Sequence, residues 1–178
     1  MSDPITDLRR LAGVSESITD EQIAQRLAAI VESSDDAIVS KDLNGIVVTW
    51  NKGAERIFGY AAEEIIGKPI SILIPADREN EEILILDRVR RGERTDHYDT
   101  IRMHKDGSLI DISLTVSPIK DEQGRIIGAS KIARDVTDRK RQEAFIRLLS
   151  REVDHRAKNL LAVVQAIVGL TDGVLPPR

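Results

Sequence analysis

The chain has 178 residues, with 26 Lys and Arg against 30 Asp and Glu, 41% hydrophobic residues and no cysteine. That balance belongs to a folded globular protein with room for one domain and an appendage. Without cysteine there are no disulfides, iron–sulfur clusters, thiolate zinc sites, cysteine nucleophiles or cysteinyl–flavin adducts, and a net charge of −4 argues against nucleic acid as the main partner.

The start, Met1-Ser2-Asp3-Pro4, has neither the basic nor the apolar stretch of a signal peptide. The longest apolar run, Leu160 to Leu170, is broken by Gln165 and is too short for a bilayer span. A cytoplasmic protein without a membrane partner is expected. Residues 1–137 hold 18 basic and 25 acidic side chains, whereas residues 138–158 hold 7 basic and 4 acidic. Composition thus changes near residue 138, and the hydrophobic period changes there too.

Thr19 and Gln22 have capping-box spacing ahead of Ile23, Leu27, Ile30 and Val31, which predicts a helix ended by Ser33-Ser34-Asp35-Asp36. Ala37–Ser40 and Ile46–Trp50 read as strands around an Asn44-Gly45 turn. Asn51 is placed to cap a short helix stopped by Gly59, and a second helical piece runs from Ala61 to Ile66. Asp77–Arg91 reads as an amphipathic helix with Ile83, Leu84, Leu86 and Val89 as its apolar residues. Strands follow at Thr95–His104, Leu109–Ile119 and Arg125–Val136, separated by Lys105-Asp106-Gly107-Ser108 and Asp121-Glu122-Gln123-Gly124 turns. The layout is α+β: a five-stranded antiparallel sheet with helices on one side. Trp50, in a strand of a chain poor in aromatics, is expected in the core.

From Asp138 the turn residues vanish. Phe145, Leu149, Val153, Ala157, Leu160, Val164 and Ile167 recur at intervals of four and three, a continuous seam on one helix. A second copy of the same helix would cover it, so a homodimer is expected. Residues 171–178 read as a loop. The chain divides into an N-terminal helical segment (1–33), a central domain (34–137) and a linker with a long helix (138–178).

The stretch from Ile30 to Lys140 resembles a PAS domain. The resemblance rests on Asp36-Ala37-Ile38-Val39, Asp42-x-Asn44-Gly45, Trp50-Asn51-x-x-Ala54-Glu55-x-x-Phe58-Gly59-Tyr60, Glu64-x-Ile66-Gly67, Lys105-Asp106-Gly107-Ser108 and Asp135-Val136-Thr137-Asp138-Arg139-Lys140, all in PAS order. It implies a sensory domain with the PAS fold. It also implies that Asp135 and Thr137 couple the sheet to the following helix by side-chain hydrogen bonds; Thr137 is a good N-cap on its own account.

The block Glu152-Val153-Asp154-His155-Arg156-Ala157-Lys158-Asn159-Leu160 through Gln165-Ala166-Ile167 is similar to the dimerisation and phosphoacceptor helix of HWE-subfamily sensor histidine kinases. The resemblance implies that His155 receives the γ-phosphoryl group of ATP and passes it to an aspartate of a response regulator. Geometry agrees: at 100° per residue His155 lies about 140° from the seam, facing solvent. Arg151, Glu152, Lys158 and Asn159 share its face at three- and four-residue spacing. Glu152, with Asp154 second, is the candidate for orienting the imidazole. Lys158, Arg151 and Asn159 are candidates for stabilising phosphoryl oxygens, and Arg156, about 100° away, for a weaker role or a structural pairing.

ATP and Mg²⁺ would be needed, yet no Gly-rich lid or Asp-x-Gly-x-Gly pattern follows Ile167; the chain alone is expected to be inactive, as a portion of a longer enzyme. Haem is disfavoured because the helix after Pro75 lacks histidine, and flavin because cysteine is absent. His97 and His104, an odd number of residues apart on one presumed strand, are expected on opposite faces and not to share a metal. The alternative to the kinase reading is a non-catalytic PAS dimerisation or ligand-binding module with His155 unused.

Overall fold

The computed structural model describes residues 19–172, with side chains as far as residue 162. The readings of Met1–Pro4 and of the terminal loop beyond Asp172 lie outside these residues. The chain forms two compact units divided between Val136 and Thr137.

In the first unit, helix α1 (Asp20–Ser33) begins with the expected capping box: Thr19 accepts from the Gln22 amide, and the Gln22 side chain accepts from the Thr19 amide. Strand β1 (Ala37–Asp42) pairs antiparallel with β2 (Val47–Trp50). Their turn is held by Asp42, whose Oδ1 accepts from the amides of Asn44 and Ile46 at 2.8 Å each, with Gly45 at φ +83°. Helices α2 (Lys52–Phe58) and α3 (Ala62–Ile65) follow. Two 3-10 turns, Ile70–Leu73 and Ala76–Arg78, lead into α4 (Glu79–Arg90). Strands β3 (Thr95–Met103), β4 (Leu109–Lys120) and β5 (Ile126–Asp135) complete an antiparallel sheet in the order β2-β1-β5-β4-β3.

The period of two along each strand sets the two faces of this sheet. Ala37 and Val39, Ile110, Ile112, Leu114 and Val116, and Ala129 and Ala133 alternate inward and form one core with residues from the helices. Trp50 is in that core: its ring packs 5.5 Å from Phe58, and its indole N–H donates to the Tyr60 carbonyl at 3.0 Å.

Asn51 does more than cap α2. Its Oδ1 accepts from the amides of Ile38 and Ala54, and its Nδ2 donates to the carbonyls of Val31 and Asp36. Both lone pairs and both donors of one buried amide are used, joining the end of α1, the start of β1 and α2. Gly53 permits this closeness, since a Cβ there would lie 2.2 Å from the Asp36 carbonyl oxygen.

The expected apolar face of α4 is only half right. Ile83 and Leu84 are exposed, and the buried residues are Glu82, Ile85, Leu86 and Val89. The helix is rolled toward an acid because Glu82 accepts from two buried lysines, Lys41 on β1 and Lys131 on β5. These lysines sit in register with inward-pointing neighbours: Lys41 follows Ala37 and Val39 by twos, and Lys131 stands between Ala129 and Ala133.

The second unit is helix α5 (Thr137–Asp172). It starts at Thr137 itself, the residue expected as its cap, a one-residue offset of the size usual for helix ends.

The ion cluster gives an asymmetric expectation. Glu82→Gln leaves two buried ammonium groups facing each other and should cost about 3–5 kcal/mol, whereas Lys131→Met leaves the Lys41–Glu82 pair intact and should be neutral or stabilising. Urea denaturation of both variants measures the difference.

Candidate functional site

Each unit carries a candidate site. In the first, a cavity of about 20 Å³ lies between the inner face of the sheet and the helical side. Its wall is apolar around Trp50, Phe58, Leu73 and Leu114, and it also includes two cations, Arg102 and Lys131.

Arg102 comes from β3 and is 4% exposed. Its Nη1 donates to Glu81 Oε2 at 3.0 Å and to the Ile101 carbonyl at 2.7 Å, and lies 3.0 Å from Thr100 Oγ1. Thr100 in turn donates to the same Glu81 oxygen at 2.7 Å. The Nη2 of Arg102 is buried and has no hydrogen-bond partner among the described residues.

Lys131 donates to Glu82 Oε2 at 2.7 Å. Burial, with Lys41 close by, pulls its ammonium down to about 7 against the opposing pull of Glu82. Burial works against ionising Glu82, but Lys131 and Lys41 outweigh it and hold the carboxyl below its usual range. Sequence reasoning missed Lys41, Glu82, Arg102 and Lys131. The signal that could have found the three cations is their period-two placement among core positions of their strands.

In the second unit the site is a face of α5. His155 is exposed, as are Arg151, Glu152, Asp154, Arg156, Lys158 and Asn159. Asn159 approaches the imidazole, with Nδ2 at 3.5 Å from His155 Nδ1. Glu152, expected beside the ring, is bonded to Arg156 at 2.8 Å. One helical turn brings Glu152 and Arg156 together as readily as Glu152 and His155, and the guanidinium is the stronger partner. Phe145, Leu149, Val153 and Leu160 of the apolar seam are each at least half exposed on the single chain. The side chains of Val164 and Ile167 lie outside the described residues.

Asp135 is the last residue of β5 and Thr137 the first of α5. Between them Val136 is buried, and its amide donates to the Asp111 carbonyl at 2.9 Å.

The histidines depart from the face argument. A bulge between Thr95 and Tyr98, with His97 at φ +46°, breaks the alternation of β3. His104 lies beyond the strand end, 2.9 Å from Asp106 and closed over Gly59. No group of three His, Cys, Asp or Glu among the described residues is placed to hold a metal. None of the described helices is long and apolar enough to cross a membrane.

A family model described as the PAS fold matches residues 25–136. The chain belongs to the PAS family. Among curated proteins, this PAS chain is 42% identical over 112 residues to two-component system protein A of Emericella nidulans, spanning 62% of this chain and 16% of that protein. It is 32% identical over 128 residues to blue-light-activated histidine kinase 1 of Erythrobacter litoralis, spanning 70% of this chain and 36% of that one. It is 31% identical over 149 residues to the signal transduction histidine-protein kinase AtoS of Escherichia coli, spanning 78% of this chain and 24% of that one. The PAS chain thus covers about a sixth to a third of these relatives' lengths. A solved PAS domain from Colwellia psychrerythraea superposes with a TM-score of 0.60 at 34% identity, covering 65% of this chain and 98% of that one.

Kinship with kinases named for blue light stands against setting flavin aside. The missing cysteine removes a cysteinyl adduct and says nothing about flavin binding without one.

Lys131 makes the PAS unit's stability depend on pH in an uncommon direction. Its folded-state pKa of about 7 lies below the 10.5 of a free lysine, so between those values the unfolded chain binds more protons. Resistance to urea should therefore rise from pH 7 to pH 9, and Lys131→Met should flatten that rise.

Proposed function

We propose that this chain is the sensory and phosphoacceptor portion of a two-component sensor histidine kinase of the HWE type, in which the PAS unit controls phosphorylation of His155. The observation that carries the reading is the exposed His155, set on the opposite side of a long helix from an uncovered apolar seam. The curated relatives named as histidine kinases support it.

The chemistry assigned to His155 is nucleophilic. An unprotonated ring nitrogen attacks the γ-phosphorus of ATP, the bond to the β-phosphate oxygen breaks, and ADP leaves. For this the proton must sit on the other nitrogen. Rotating the Asn159 amide presents Oδ1 to Nδ1–H, which leaves the Nε2 lone pair free for attack. Asn159 thus takes the orienting role first given to Glu152. The Glu152–Arg156 pair fixes the turn beside it, and Lys158 is left to meet phosphoryl oxygens. ATP with Mg²⁺ is the phosphoryl donor, brought by a nucleotide-binding domain. An aspartate of a response-regulator receiver is the acceptor that follows.

The seam of Phe145, Leu149, Val153, Ala157 and Leu160 is assigned to a homodimer. Its period of three and four matches knobs-into-holes packing, and each copy would remove half-exposed aliphatic side chains from water. Asp135 and Thr137 stand where β5 passes into α5, the position from which a change in the PAS core reaches the helix.

Two measurements test this. With an HWE-type kinase domain and labelled ATP supplied in trans, the wild type should acquire acid-labile, base-stable label, and His155→Ala should acquire none. Absence of label from both would favour a non-catalytic PAS interaction module. Leu149→Asp should convert a dimer to a monomer by sedimentation equilibrium, and a wild-type monomer would remove the dimer from the account.

A further inference from the structure

Helix α1 buries none of its residues, and Leu27 and Ile30 on it are 44% and 65% exposed. It adds no residue to the core, yet its end is held closely. Asn51 Nδ2 donates to the Val31 carbonyl at 2.8 Å, and Glu32 Oε2 accepts from the Lys52 amide at 3.1 Å. Arg56 Nη2 donates to the Ser34 carbonyl at 3.0 Å and to Asp35 Oδ1 at 3.1 Å. The last turn of α1 and the link after it are thereby fastened to α2, while the body of the helix is exposed.

Asp36 carries this attachment to the other end of the PAS sequence. Its carbonyl accepts from the same Asn51 Nδ2 at 3.1 Å, and its carboxylate accepts from Arg134 Nε at 3.0 Å and Nη2 at 2.8 Å. The two residues face each other across β1 and β5, one step beyond the Ala37–Ala133 pair. Arg134 is 98 residues from Asp36, but α5 begins close after it, at Thr137. Val136 in between is buried, and its amide is bonded to the Asp111 carbonyl at 2.9 Å, so little slack separates Arg134 from the helix. Arg134 is 70% exposed, and an ion pair with so exposed a partner contributes little to stability. A planar fork on both oxygens of a carboxylate instead fixes direction. What it secures is the place of the α1 end against the end of β5.

We propose that Asp36 and Arg134 form a positioning clamp that couples the last turn of α1 to the first turns of α5, so that displacement of α1 is an input to the helix of His155 separate from the PAS cavity. Asp135 and Thr137 join that helix to the sheet, and the clamp adds the N-terminal helix. Coupling of this kind is reciprocal: loosening either end loosens the other by the same factor. The consequence for His155 rests on the phosphoacceptor reading, whereas the clamp itself does not.

Amide hydrogen exchange on the full chain, read at residues 31–34, at Val136 and at residues 140–144, tests the clamp. Glu32→Ala removes a bond of the α1 end without touching Asp36 or Arg134. It should speed exchange at Val136 and residues 140–144 about threefold, the scale of one exposed polar contact, with Leu114 in the core unchanged. In an Arg134→Gln background Glu32→Ala should add nothing at those residues. Asp36→Asn should speed exchange at both ends, and Arg134→Gln carries the same expectation if Asp36→Asn does not fold. The exchanged pair, Asp36→Arg with Arg134→Asp, should return both ends to the wild-type rates, which a loss of local packing would not allow. An effect of Glu32→Ala confined to α1 would overturn the clamp. So would loosening of only the mutated end in Asp36→Asn and Arg134→Gln, or no rescue by the exchanged pair. With the kinase domain and labelled ATP in trans, Glu32→Ala should change the rate of label acquisition by a comparable factor, and Arg134→Gln should abolish that change. Label acquired at the wild-type rate in both chains would overturn the clamp's part in signalling and leave His155 as the acceptor.

Discussion

The PAS unit turns on one carboxylate. Glu82 reaches from α4 into the sheet and accepts from Lys41 and Lys131, which stand on the neighbouring strands β1 and β5. Two like charges on adjacent strands repel in an apolar interior, so the sheet holds them only with the acid between them. That requirement sets the roll of α4 about its axis. Ile85, Leu86 and Val89 turn inward with Glu82, while Ile83 and Leu84 face solvent despite being more apolar than the acid that displaced them.

The same geometry explains why the core is not filled solid. Arg102 on β3 stands opposite Ile110 of β4 and Lys131 on β5 opposite Val116, and both line the cavity together with Leu114. Long cationic stems pack well against hydrocarbon, but their heads need oxygen partners. Glu81 and Glu82 supply them from one helix turn, and the space that remains is the cavity. On the far side, Asn51 performs the corresponding service for the backbone, spending its whole amide on four main-chain groups.

Helix α5 follows a different logic. Its described apolar residues, Phe145, Leu149, Val153 and Leu160 among them, are at least half exposed, and its polar residues pair along the helix: Arg139 with Glu143 at 2.9 Å and Glu152 with Arg156 at 2.8 Å. Such exposed pairs contribute little each. Isolated helices of this kind gain most of their stability from a partner that covers the seam.

The sequence alone determined the order of strands and helices, the turns and caps, and the place where the sheet gives way to a long helix. Those features depend on residues close together in the chain: the capping box at Thr19, the Asp42 turn, the Asn51 cap and the seven-residue seam. It also placed His155 on the polar side of its helix, since helical period needs no other information. Only the tertiary structure decided which polar residues are core. Lys41, Glu82 and Lys131 lie 41 and 49 residues apart, and charge in a strand or helix looks like a solvated edge until the partner's position is known. Beside His155, helical spacing alone does not tell that Glu152 bonds to Arg156 while Asn159 stands 3.5 Å from the imidazole.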